Sequence, residues 1–129
     1  MRYKILYTRK VAVTKNIDWR GSALRDLREF PADARKRAGF ELEKIQQDLF
    51  PTDWKSINSW GSGVIEIKLD ALAGAFRVVY VAKFEEAIHV LHCFQKKTQQ
   101  TSPKDISVIK ARYAEIITER QRRENERLH

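Results

Sequence analysis

Arg77, Val79, Val81 and Lys83 alternate along one apolar stretch of the chain, and Val90, His92, Phe94 and Lys96 alternate along the next. A β-strand sends residues i, i+2 and i+4 to one face. Two such strands side by side set arginine, lysine and histidine together, a surface suited to a polyanion. Cleavage of RNA by its own ribose 2′-hydroxyl makes three demands. The hydroxyl must lose its proton, the phosphate oxygens must be stabilised, and the departing 5′-oxygen must be protonated. Fixed cations meet the second demand without a metal ion. A histidine or a perturbed lysine meets the others. Exposed aromatic rings stack unpaired bases, and Phe94, Trp54 and Trp60 are the candidates. The competing reading makes His92 a satisfied core histidine and the cations a solvated face.

Three predicted strands position these residues: Val64–Leu69, Ala75–Phe84 and Ala87–Gln95, paired as an antiparallel meander. A tight turn at Glu85-Glu86 pairs Phe84 with Ala87, and then Arg77 faces Phe94 and Val79 faces His92. Lys68 joins the same face if an even-length loop over Asp70–Gly74 links the first two strands. Ser22 is a plausible N-cap for a short helix carrying Leu24 and Leu27, after a turn over Trp19–Ser22. Pro31 opens a second helix. Its apolar face is Ala34, Ala38, Leu42, Ile45 and Leu49, its interior holds Gly39, and Pro51 ends it. Only close packing offers a sequence-level reason for the glycine. Residues 53–63 read as a loop. Ser102-Pro103-Lys104-Asp105 combines a capping serine, a proline at the first helical position and an acid three residues after the cap. The helix it starts runs past Ile116, with Ile106, Ile109, Tyr113 and Ile116 on one face. From Thr118 the pattern decays into a basic, polar, fraying tail. Residues 1–18 form an extended N-terminal segment, β-compatible over Tyr3–Thr8 and Lys10–Thr14.

The 129 residues are enough for one α+β domain, taken as 1–129, and too few for two. A net charge of +8 and an isoelectric point of about 9.8 favour an anionic partner. Cys93 is the single cysteine. It forms no intrachain disulfide and fits a reducing cytoplasm. No apolar run approaches a membrane span, so no membrane association is expected. His89, His92 and Cys93 lie close in sequence, but strand alternation points His89 away from His92 and His92 away from Cys93. No metal and no cofactor are expected. Cys93 has no same-face histidine to activate it. There is no Gly-x-Ser-x-Gly elbow, and Gly61-Ser62-Gly63 lacks the lysine of a phosphate loop.

Several motifs occur in order: Trp19-x-Gly21-Ser22-x-Leu24-x-x-Leu27, Phe30-Pro31-x-Asp33-Ala34-Arg35, Pro51-x-x-Trp54-Lys55 and Gly63-Val64-x-Glu66-Ile67. Two more specific blocks follow, Ala75–Phe84 (AFRVVYVAKF) and Leu91–Thr98 (LHCFQKKT). Together they resemble the HigB-like, phage-derived branch of the RelE/ParE toxin superfamily over about residues 19–117. The resemblance implies a RelE-like fold, with two N-terminal helices on an antiparallel sheet and a C-terminal helix. It implies the toxin of a type II toxin–antitoxin pair, cutting mRNA on the ribosome without a metal. The partner it implies is a small helix-turn-helix antitoxin. Arg77 matches the arginine of the family's Arg-x-x-Tyr strand, which faces the scissile phosphate. Lys96 and Lys97 match the basic pair closing the last strand, and Lys68 matches the basic position ending the first. The catalytic set expected is Arg77, His92 and Lys96. Lys55, Lys68, Lys83, Phe94 and Lys97 are expected to contact RNA. Arg77 is expected to be an exposed cation whose removal leaves stability nearly unchanged. The C-terminal tyrosine of some relatives has no counterpart, since Tyr113 faces the core, and His92 is the first candidate for the general base. The superfamily also holds ParE-type gyrase poisons, so a non-nucleolytic toxin and a non-catalytic nucleic-acid-binding protein remain alternatives.

Overall fold

Period-two apolar patterning draws the middle of the chain into one mixed sheet, which a long amphipathic helix covers on one face and two shorter helices cover on the other. The computed structural model describes residues 14–129. Apart from Thr14, the N-terminal β-compatible stretches lie outside them. The strands are β1 (Ile17–Trp19), β2 (Trp54–Ser56), β3 (Val64–Ala71), β4 (Gly74–Val81) and β5 (Ile88–Lys96). The helices are α1 (Ala23–Arg28), α2 (Ala32–Gln46) and α3 (Pro103–Leu128), with a 3-10 turn at Asn58–Trp60. Strand order is β1-β5-β4-β3-β2. The β3-β4-β5 meander is antiparallel, as the alternation predicts.

Two short strands were not legible. Ile17–Trp19, expected to run into a turn, pairs in parallel with Ile88–Val90 at one edge. Trp54–Ser56, expected as loop, pairs with Ile65–Ile67 at the other. Three-residue strands carry too few alternations to show a period.

The β4–β5 connection corrects the expected tight turn. Val81 ends β4 and Ile88 starts β5, so Phe84 does not pair with Ala87. That longer loop shifts the register by one residue. A bulge then shifts it back: Tyr80 pairs with Val90 and Val79 with His92, leaving Leu91 as the extra residue. Arg77 therefore faces Phe94, and Val79 faces His92, as expected but by a different route. Arg112 of α3 donates from Nη1 to the Leu91 carbonyl at 2.8 Å, satisfying the acceptor at the bulge.

The bulge also reassigns faces. Ile88, Val90 and Cys93 pack with Ile67, Val78 and Tyr80 under α1 and α2. Leu91 and Phe94 pack with Val64, Val79, Ile109 and Ile116 under α3. Val90 thus lies opposite to Phe94 rather than beside it. His89 comes to the α3 side along with His92, where simple alternation separated them.

Helix α2 stops at Gln46, before Pro51, because Asp48 adopts a left-handed φ of 66°. Leu49, expected on the buried face, is consequently 54% exposed. Glu41 anchors the chain beyond it. Its two carboxylate oxygens accept from the Thr52 amide and hydroxyl, each at 2.8 Å. Gly39 is exposed, and nothing lies within 4 Å of where its Cβ would stand, so close packing does not explain it. Helix α3 runs to Leu128, well past the expected fraying point. Arg20 forks onto Glu119 with two 2.7 Å bonds, and Arg120 and Arg123 pair with Glu86, so this helix is tied to the sheet far along its length.

Candidate functional site

Two rows of side chains cross the α3-facing side of the sheet. One is Lys68–Arg77–Phe94, directly opposite one another on β3, β4 and β5. The other is Lys55–Glu66–Val79–His92, from β2 to β5. Lys68 shares the face because the β3–β4 hairpin closes from Ala71 to Gly74 across an even, two-residue turn, as the parity argument required. Lys96 lies beyond Phe94 on β5, opposite Ala75.

Arg77 is not the exposed cation expected. It is 8% exposed, and its Nε lies 3.7 Å from Glu66 Oε2, close enough for ion pairing and too far for a hydrogen bond. Nη1 donates to the Phe76 carbonyl at 3.0 Å and lies 3.9 Å from Asp70 Oδ1. Buried strand geometry therefore sets the guanidinium between two carboxylates.

His92 is also 8% exposed. Its Nε2 is 2.7 Å from Asp105 Oδ1 in the first turn of α3. Its ring stacks on Phe94 at 4.9 Å between centroids. Asp105 in turn caps the helix: its Oδ2 accepts from the Ser102 hydroxyl, and its amide donates back to Ser102 Oγ. Phe94 is buried under α3, so the structure gives no exposed stacking face there. Trp60 is buried too, and Trp54 is already stacked on Phe50 at 4.8 Å.

Among the described residues, three buried side-chain atoms have no hydrogen-bond partner: Glu66 Oε2, Arg77 Nε and His92 Nδ1. All three belong to these two rows. Buried polar groups are nearly always paired, and their failures gather at functional sites. Beside them a cleft of about 440 Å³ opens between β2, the 3-10 turn and the chain leaving β5. Lys55, Glu66, Lys96, Trp60 and Ile106 are among its walls.

The structure thus brings Lys55, Lys68, Arg77, His92, Phe94 and Lys96 onto one face. Lys97 follows the last strand and is exposed. Lys83 lies apart, donating to the Ser62 hydroxyl at 2.9 Å and standing over the Phe84 ring. It borders a larger groove of about 760 Å³ near the end of α2, where none of the other expected residues occurs. Sequence reasoning missed Glu66 and Asp105 as site residues. The signal was present for Glu66, since Val64, Glu66 and Lys68 alternate on the face that carries Arg77.

Other chemistries find little support. His89 engages Asp18 at 2.7 Å and Glu86 at 3.2 Å, and no group of three His, Cys, Asp or Glu among the described residues is placed to hold a metal ion. Burial pushes the Cys93 thiol well above its usual range, which leaves it a poor nucleophile. Among the described residues no helix is long and apolar enough to cross a membrane.

Comparison with known proteins agrees with this architecture. Residues 25–114 match the family model described as "Phage derived protein Gp49-like (DUF891)". A solved structure of the E. coli toxin RelE, an arginine-to-alanine double mutant in the free state, superposes with a TM-score of 0.54. It shares 14% identity and covers 81% of this chain and 98% of its own, a likeness of fold. No curated protein matches in sequence. With the RelE fold and a family match over most of its length, the chain belongs to the phage-derived Gp49-like family.

Proposed function

We propose that this protein is the toxin of a type II toxin–antitoxin pair and acts in the cytoplasm as a ribosome-dependent mRNA endoribonuclease. The observation that carries this reading is that all three unpartnered buried side-chain atoms among the described residues, on Glu66, Arg77 and His92, lie on one sheet face, and Glu66 lines a cleft that Lys55 and Lys96 also line. Lys55 and Lys96 line it with positive charge, Lys68 stands opposite Arg77 on the same face, and Lys97 follows the last strand. Arg77 adds a fixed charge beneath, where low dielectric strengthens its field on a phosphate. Lys96 is the proton donor to the departing 5′-oxygen. His92 contributes by position: one nitrogen is held by Asp105 and the other is enclosed, so it fixes Phe94 and the end of β5 against α3. The silencing partner is a small helix-turn-helix antitoxin, whose acidic or bulky contact covers the basic face.

Induced expression followed by primer extension tests this directly. Cuts within translated messages, and rescue of growth by the neighbouring gene, are the expected results. Intact transcripts under growth arrest would overturn the nuclease reading. The burial of Arg77 between Glu66 and Asp70 favours a second reading, a ParE-like toxin or a non-catalytic nucleic-acid binder, and arrest without cleavage is its signature.

A further inference from the structure

We propose that Glu66 is the proton acceptor for the attacking 2′-hydroxyl, an assignment that rests on the nuclease reading above. The two buried glutamates of this chain make the contrast. Glu41 has both carboxylate oxygens satisfied by Thr52. Glu66 is more deeply buried, at 3% exposure, yet its Oε2 has no partner and its nearest cation, Arg77 Nε, stands off at 3.7 Å. A structural carboxylate at this depth is ordinarily saturated with hydrogen bonds. One held ready for a substrate proton is not.

Position agrees. Among the described residues, Glu66 is the only acidic one lining the 440 Å³ cleft, and no histidine lines it. Lys96 lines the same cleft, so a base and an acid border one space. Charged groups surround Glu66: Lys55 is its register partner on β2, Arg77 stands beside it on β4, and His92 with its Asp105 lies farther along its row. His92 cannot present a free nitrogen to the cleft without leaving Asp105 or turning out of its enclosure.

The step balances. The 2′-oxygen passes its proton to the Glu66 carboxylate and forms a bond to phosphorus. The bond from phosphorus to the 5′-oxygen breaks, and that oxygen takes a proton from the Lys96 ammonium. The products are a 2′,3′-cyclic phosphate and a free 5′-hydroxyl. Exchange with water returns the carboxylic acid and the amine to their starting states.

Single-turnover cleavage of mRNA on programmed ribosomes tests the assignment, using messages with either oxygen or sulfur at the 5′-leaving position. Sulfur leaves without needing a proton. Glu66→Gln is expected to slow cleavage by ~10²–10⁴-fold, with ribosome association unchanged and no rescue by sulfur. Lys96→Met is expected to be slow with oxygen and restored with sulfur. Glu66→Asp, which keeps the charge, provides a folded comparison if the glutamine variant melts early, and its slowing too should persist with sulfur. Wild type that leaves mRNA whole would overturn the nuclease reading and this assignment together. Wild type that cuts while folded Glu66→Gln cuts equally fast, or a Glu66 variant rescued by sulfur, would overturn the assignment alone.

Discussion

His92 Nε2 lies 2.7 Å from Asp105 Oδ1, a bond that ties the last core strand to the first turn of the C-terminal helix. The same aspartate pairs with the capping hydroxyl of Ser102. One carboxylate therefore serves helix initiation and the enclosure of His92 at once. Asp105→Asn is expected to destabilise the fold by about 1–3 kcal/mol, since a charged partner of a buried ring is lost. Urea denaturation measures this. A midpoint equal to wild type would show that the bond contributes nothing.

Arg77→Ala is expected to cost about 3–5 kcal/mol, because it leaves the Glu66 carboxylate buried beside no cation. Loss of activity in that variant then mixes chemistry with unfolding. Pairing Arg77→Met with Glu66→Met removes both charges and should recover most of the stability without recovering cleavage. Denaturation of the single and double variants checks it. A fully stable Arg77→Ala would refute the pairing.

Gly39→Ala should stabilise the protein by about 0.5–1 kcal/mol. The site is exposed in mid-helix, and the new methyl group meets nothing. A fall in melting temperature would reveal a contact that the geometry does not contain.

Burial alone would raise the Glu86 carboxyl, but bonds from Arg120, its own backbone amide and His89 outweigh it and lower the pKa from 4.5 to about 2. Glu119 is lowered as well, chiefly by Arg20. A carboxyl depressed by folding adds stability above its unfolded value, and that stability is lost as pH falls through the folded value. The melting-temperature gap between wild type and Glu86→Gln should be full at pH 7 and shrink between about pH 4.5 and about pH 2. A gap constant across that range would refute the linkage.

The meander, the three helices and the shared face of Lys68, Arg77, Phe94 and Lys96 were legible because long alternating or 3.6-residue patterns override local detail. The Leu91 bulge was not. Nothing in the apolar run from Ile88 to Leu91 marks which residue will be skipped, and its stabilising contact comes from Arg112, on a different element. Arg77 was expected to be exposed and Glu66 was not singled out, because burial depends on where α3 and the 3-10 turn settle. The reach of α3 depended on Arg20 and Glu86, whose pairing with its last turns has no periodic signature.

The β1 edge has a consequence for the order of assembly. Asp18 bonds His89 across 71 positions of sequence, and Arg20 bonds Glu119 across 99. Such distant closures are entropically late, since the intervening chain must already be organised before they form. A nascent chain ending at Lys97 contains every described strand and every candidate cation, yet lacks Ile106 in the cleft wall and Asp105 against His92. The complete cleft wall and the enclosure of His92 therefore arise only once α3 has been made and has docked. On the nuclease reading proposed above, a chain stopped before α3 carries the cations without the site that would use them.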